Sequence, residues 1–202
     1  MKPQKSLAPA AAAVLAGVLL LTGCSNGTET AAPNSATVPV PVVSGSPSTS
    51  TPTVPAPTGG TEPERADASP DALLTVTGLR IGAHPGFDRV VYELGGTGAP
   101  GWAVQYVDHA VQDGSGDVLD VPGSSLLEVR ITGTGYPFDT GVAPYGGPNP
   151  LPGGEATGLT QARISTVFEG TTQSFVGLDG ERHPFTVSRL DDPTRLVVDI
   201  AR

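Results

Sequence analysis

The chain is poor in the residues on which most catalysis, metal binding and nucleic-acid binding depend. It holds one cysteine in 202 residues, so no disulfide forms within it and no cysteine-rich metal site is possible. Its only lysines are Lys2 and Lys5, and 20 acidic side chains outnumber 11 basic ones, for a net charge of -9. Phosphate binding needs a basic patch, so this balance argues against a nucleic-acid partner. With no lysine beyond Lys5, the chain has no phosphate-cradling loop ending in Gly-Lys-Ser/Thr. What is plentiful is Gly 27 and Pro 21, together roughly a quarter of the chain, which borders on low-complexity composition. Part of the chain is therefore expected not to fold.

Residues 1–23 read as a targeting segment. Lys2 and Lys5 form a positive head, and Leu7 to Leu21 is an almost unbroken apolar run, short for a membrane span of about 20 residues and laid out as a secretory signal. The run ends in Leu21-Thr22-Gly23-Cys24, which resembles the lipobox of bacterial lipoproteins, where the cysteine is lipidated and becomes the new N-terminus. The plainer alternative is an ordinary signal peptide with a cysteine near its cleavage site. Cleavage would leave nine arginines (11 minus the two lysines) against the same 20 acids, a net charge of -11. An acidic domain is repelled by anionic lipid, so acyl chains on Cys24, not charge, would hold it at the membrane.

Residues 24–72 are rich in Ser, Thr, Pro, Ala, Val and Gly and offer too little large apolar surface to offset chain entropy. They are expected to be a disordered tether, reaching on the order of 150 Å if fully extended in polyproline geometry. Ser/Thr-Pro stretches in it are open to O-glycosylation.

Residues 73–202 change character. Short runs rich in Val, Ile, Thr and aromatics alternate with Gly, Pro and Asp turns, predicting strands over Leu74 to Ile81, Asp88 to Leu94, Trp102 to Val107, Leu126 to Ile131, Gln161 to Phe168, Gln173 to Leu178, Pro184 to Leu190 and Arg195 to Ile200. Eight short strands without a convincing amphipathic helix predict an all-β, two-sheet β-sandwich. A weak repeat supports it. Arg89-Val90-Val91-Tyr92-Glu93-Leu94 and Arg195-Leu196-Val197-Val198-Asp199-Ile200 each place Arg and acid on one strand face and three core residues on the other. Antiparallel pairing of the two would set Arg89 against Asp199 and Arg195 against Glu93 as cross-strand ion pairs. The rival reading makes the arginines an anion site.

Phe87-Asp88-Arg89-Val90-Val91-Tyr92-Glu93-Leu94, with Leu190-Asp191-Asp192-Pro193-Thr194-Arg195-Leu196-Val197-Val198-Asp199-Ile200 at the other end, resembles the AMIN domain. With Phe168-Glu169-Gly170, Val176-Gly177-Leu178 and Pro184-Phe185-Thr186-Val187, the stretch is similar to the AMIN-like domain of actinobacterial secreted lipoproteins. That resemblance implies a β-sandwich that targets proteins to the cell envelope, often by binding peptidoglycan. The chain departs from the simple pattern by a long Gly/Pro insertion, and it lacks the zinc-binding catalytic domain that AMIN accompanies in amidases.

The insertion, Thr132 to Leu159, holds Tyr136, Phe138, Tyr145 and five prolines with no clear strand. Long connections of this kind are usually functional or disordered. Its rings either stack on sugars or fold back to plug the sandwich. Trp102 and Tyr106 share a strand face with Val104 and are expected in the core. Asp113-Gly114-Ser115-Gly116-Asp117 has calcium-loop spacing at first, but Val118 and Ser124 stand where that loop needs Gly and Glu, so a hairpin turn explains it more simply. His84, His109 and His183 lack the close partner of a zinc motif, and Asp88 and the Asp108-His109 pair offer no recognisable acid-base constellation. No catalytic residue, metal or cofactor is expected.

The leading expectation is a non-catalytic, lipid-anchored module on the outer face of the cytoplasmic membrane that binds cell-wall glycan or peptidoglycan. The alternative is an adaptor that docks an envelope protein by strand addition to a sheet edge, and a wall hydrolase is the least favoured.

Overall fold

The computed structural model describes residues 55–202; the signal-like head, Cys24 and the tether as far as residue 54 lie outside the described residues. Ten strands and one helical turn follow in chain order: Glu64–Ala66 (β1), Leu73–His84 (β2), Phe87–Thr97 (β3), Gly101–Val107 (β4), Ser125–Thr132 (β5), Pro137–Thr140 (α1), Leu151–Pro152 (β6), Leu159–Phe168 (β7), Thr171–Leu178 (β8), Phe185–Leu190 (β9) and Arg195–Ala201 (β10). They form a two-sheet β-sandwich. The larger sheet runs β1-β4-β5-β8-β7-β6 and the smaller β2-β3-β10-β9.

Alternation puts the core between them. Val90, Tyr92 and Leu94 of β3 and Leu196, Val198 and Ile200 of β10 point inward and meet Leu127, Val129 and Ile131 of β5 and Val176 and Leu178 of β8, all in one buried cluster. Each such side chain contributes roughly 1.5–3 kcal/mol when fully buried. Trp102 and Tyr106 pack half-buried against the same cluster. One polar link crosses the core: the hydroxyls of Tyr92 and Ser174 lie 2.9 Å apart, and Ser174 Oγ donates to the carbonyl of Arg163 at 2.9 Å. Ser174 spends its single proton there, so Tyr92 is the donor to Ser174. Burial pushes the Tyr92 phenol well above its ordinary range, with the Ser174 bond opposing it.

A second, smaller core lies outside the larger sheet. The crossover between β4 and β5 folds back so that Ala110 and Val121 cover Phe175. It is pinned by charge: Arg130 Nη2 sits 2.6 Å from Asp113 Oδ2, and Gln173 Nε2 donates to Glu128 Oε1 at 2.8 Å. The bond to Asp113, and less strongly those charges, raise the Arg130 guanidinium further, against the effect of burial. The Asp113 carboxylate is thus committed, and the run to Asp117 closes as a turn in which Gln112 N–H donates to Asp117 O at 2.8 Å.

Three expectations are corrected. The tether does not run to residue 72: Glu64–Ala66 is a strand paired with Val104–Trp102. Just before it, Phe185 N–H donates to Gly60 O at 2.9 Å and Val187 N–H to Glu64 Oε2 at 3.1 Å. A short charged strand gains its place from these long-range bonds, and its own composition does not announce it. The insertion 132–159 also carries structure, the turn α1 and the strand β6. Finally, Arg195 faces Glu93 in the β10–β3 register, as Asp199 faces Arg89, yet only the latter pair closes. Arg89 Nε reaches Asp199 Oδ1 at 2.6 Å and Nη2 reaches Oδ2 at 2.8 Å, a forked pair that raises the Arg89 guanidinium chiefly through its hydrogen bond. Glu93 instead pairs with Arg80 at 2.7 Å, and Arg195 Nε donates to Pro193 O at 3.1 Å. The cause is Gly78, which faces Glu93 beside a β-bulge: a Cβ there would stand 2.5 Å from Glu93 Oε2, so the missing side chain is the space through which Glu93 turns toward Arg80.

Candidate functional site

The insertion is stitched to the outer edge of β2. Leu74 N–H donates to Gly133 O at 3.0 Å, Gly135 N–H to Leu74 O at 2.9 Å and Tyr145 N–H to Val76 O at 2.8 Å. Side chains add a fourth link, Thr75 Oγ1 to Thr140 Oγ1 at 2.6 Å. Between these stitches Tyr136-Pro137-Phe138-Asp139 turns once. Pro137 occupies the first turn of α1, where a missing N–H costs nothing, and Gly141 ends it at φ 68, a left-handed conformation that a side chain would strain.

Tyr136 is the extended residue before the turn (φ -67, ψ 150) and Phe138 lies within it, and the change of chain direction between them lets the rings stack. Tyr136 and Phe138 lie with centroids 5.2 Å apart and planes 8° from parallel, at 41% and 81% exposure. Leu73, 42% exposed, lies close to Gly135, the residue before Tyr136. The result is an apolar shelf on a backbone that is held, not loose. Tyr145 does the opposite: it packs half-buried against the core and donates its hydroxyl to Pro148 O at 3.1 Å. Of the three rings, Tyr145 folds back onto the core, while Tyr136 and Phe138 stay exposed.

Pro137, between the shelf rings, and Tyr145 also wall a cavity of ≈ 90 Å³, completed chiefly by Val76, Pro144, Ile164 and Val167. Asn149 lies at this cavity and is exposed. A broader groove of ≈ 340 Å³ runs between the later half of β2 and the stretch from Leu151 to Ala156. Nothing in the sequence marked Asn149 or Pro137, because neither belongs to a periodic pattern.

Most of the remaining polar candidates are engaged in structure, and His109 is exposed. Asp88, 1% exposed, accepts from Gly158 N–H at 2.8 Å, and its other oxygen lies 3.6 Å from Arg202 Nε without accepting a hydrogen bond. Asp108 meets Arg182 at 3.0 Å. His84 stacks on Phe87 at 4.7 Å, and the backbone of His183 exchanges hydrogen bonds with the Tyr106 hydroxyl, while burial pushes that phenol up. Among the described residues no three His, Cys, Asp or Glu side chains gather as metal ligands.

For strand addition, the first part of the β2 edge is taken by the insertion, through Leu74 and Val76, and the β9 edge carries Gly60 and Glu64. The outer strands of the larger sheet, β1 and β6, are only 3 and 2 residues long, and the later part of β2 borders the broader groove. Residues 74–202 match the family model described as the AMIN-like domain, more than half of the chain. No curated protein matches it, and no solved structure does.

Proposed function

Because the chain belongs to the AMIN-like domain family, we propose that it is a non-catalytic module of the cell envelope that binds peptidoglycan or another cell-wall glycan through the Tyr136–Phe138 shelf. One observation carries the reading: two parallel rings are held open to solvent, Phe138 at 81% exposure, on a turn fastened to β2. A soluble fold exposes such a ring at a cost unless something covers it. A pyranose has an apolar face and a polar rim, and an aromatic shelf with nearby hydrogen-bonding groups matches both. The engagement of Asp88 and of Asp108 in ion pairs supports binding over catalysis. In this reading the chain is exported by residues 1–23 and held on the outer face of the cytoplasmic membrane by lipid on Cys24, with the sandwich in the wall.

The test is co-sedimentation of the full chain with protein-free sacculi. The chain pellets with the wall, and Phe138→Ala lowers the pelleted fraction several-fold while melting as the parent does. A chain that stays in the supernatant, or a Phe138→Ala variant that pellets equally, overturns the proposal.

A further inference from the structure

Resting on that reading, we infer that the site selects N-acetylated sugars: the cavity beside the shelf receives an acetamido methyl, and Asn149 bonds the amide that carries it. The chemistry of the lining points there. Val76, Pro137, Pro144, Ile164 and Val167 present carbon, Tyr145 bonds its hydroxyl to Pro148 O, and the hydroxyls of Thr75 and Thr172 at the wall are already bonded to those of Thr140 and Thr134. A sugar hydroxyl placed among them would give up its hydrogen bonds to water without replacement, whereas a methyl loses nothing. At ≈ 90 Å³ the cavity is much smaller than the neighbouring groove of ≈ 340 Å³, which suits it to a small apolar group.

Asn149 supplies the polar half. Its Oδ1 accepts the Ile164 N–H at 3.0 Å and its Nδ2 donates to the Ile164 carbonyl at 2.8 Å. The backbone donor fixes which end of the side-chain amide is oxygen. Two bonds use half of its capacity, so one N–H donor and one oxygen lone pair remain. A secondary amide needs that combination, an acceptor for its N–H and a donor for its carbonyl. The clamp on Ile164 also holds the Asn149 side chain in place before a ligand arrives, which reduces the ordering cost of binding.

The probes are chitotetraose, acetylated at every sugar, and cellotetraose, an uncharged analogue with hydroxyls in those places. Titration calorimetry of the full chain is expected to give at least tenfold tighter binding of chitotetraose. Saturation-transfer NMR is expected to show the acetyl methyl protons receiving the strongest saturation. Val167→Phe, which fills the cavity, erases the preference and leaves the two probes bound alike; Phe138→Ala weakens both. Equal affinity of the parent chain for the two tetraoses, or saturation spread evenly over the sugar rings, overturns the selectivity while leaving the shelf as a glycan site. Failure of both probes to bind overturns it as well, and retention on sacculi then decides whether the wall reading falls with it. The NMR readout needs no variant, so a misfolded Val167→Phe does not shield the inference.

Discussion

The hydrogen bond that crosses the core allows a directional test. Tyr92 donates to Ser174, and Ser174 donates onward to Arg163 O. Tyr92→Phe therefore removes one neutral hydrogen bond and strands only a lone pair on Ser174, whose own proton keeps its partner. That costs about 0.5–1.5 kcal/mol. Ser174→Ala removes the bond to Arg163 O as well as the acceptor, and leaves the Tyr92 hydroxyl, fully buried, with a proton and nowhere to put it. Its cost is the full desolvation of a buried donor, about 1–3 kcal/mol, so Ser174→Ala should be the worse by roughly 1 kcal/mol. Adding Tyr92→Phe to Ser174→Ala deletes the stranded donor, and the double variant should be more stable than Ser174→Ala alone, a coupling that a double-mutant cycle reads directly. Urea unfolding followed by the single tryptophan, Trp102, measures each midpoint, with the m-value expected to stay constant. Were Tyr92→Phe to cost as much as Ser174→Ala, the assigned direction of the proton relay would be wrong.

The same phenol predicts an alkaline limb. Burial raises the Tyr92 pKa in the folded state above its unfolded value near ~10, so its contribution is complete below pH ~10 and is lost as pH rises beyond it; Tyr92→Phe should flatten that part of the stability profile. Arg130→Met leaves Asp113 and the nearly buried Glu128 without their shared cation and should cost about 2–3 kcal/mol, less than a fully buried pair because the site is part-exposed; limited proteolysis should then cut between residues 110 and 118 sooner, and an unchanged cleavage rate would count against the pinning role. A chain beginning at Leu73 loses the β1 ladder and the bonds to Gly60 and Glu64, each worth about 1 kcal/mol, and should melt distinctly lower by circular dichroism; an unchanged midpoint would return residues 55–72 to the status of a tether.

The framework of this fold is legible in the chain because alternation is a strong signal. The apolar sets of the Arg89 and Arg195 runs lie on the buried faces, and their mutual register follows from matching those faces. Side-chain pairing is less legible, since it depends on what neighbours leave vacant: Glu93 turns away from Arg195 only because Gly78 opens the path to Arg80, and no repeat within the two runs contains that glycine. The strand at Glu64 escapes notice for a related reason. Three residues with two charges carry no period, and their partners are 36 to 40 positions away. At the shelf, composition identified Tyr136, Phe138 and Tyr145 but could not divide exposed rings from packed ones, because a single helical turn has too few residues to show a buried face. Asn149 lies beyond any such reading, as its value comes from Ile164 holding it.

The two extremities of β2 finally acquire different roles. Ala56, the second described residue, lies near Gly86 at the β2–β3 hairpin, whereas the aromatic shelf follows Gly135, which lies close to Leu73 at the opposite tip of this 12-residue strand, about 35 Å away at the usual rise. On the proposed reading the molecule is polar in the geographic sense, with its mooring at one pole and its capture at the other. Tension between the two would then be directed along the strands, so that paired ladders share it side by side instead of parting rung by rung.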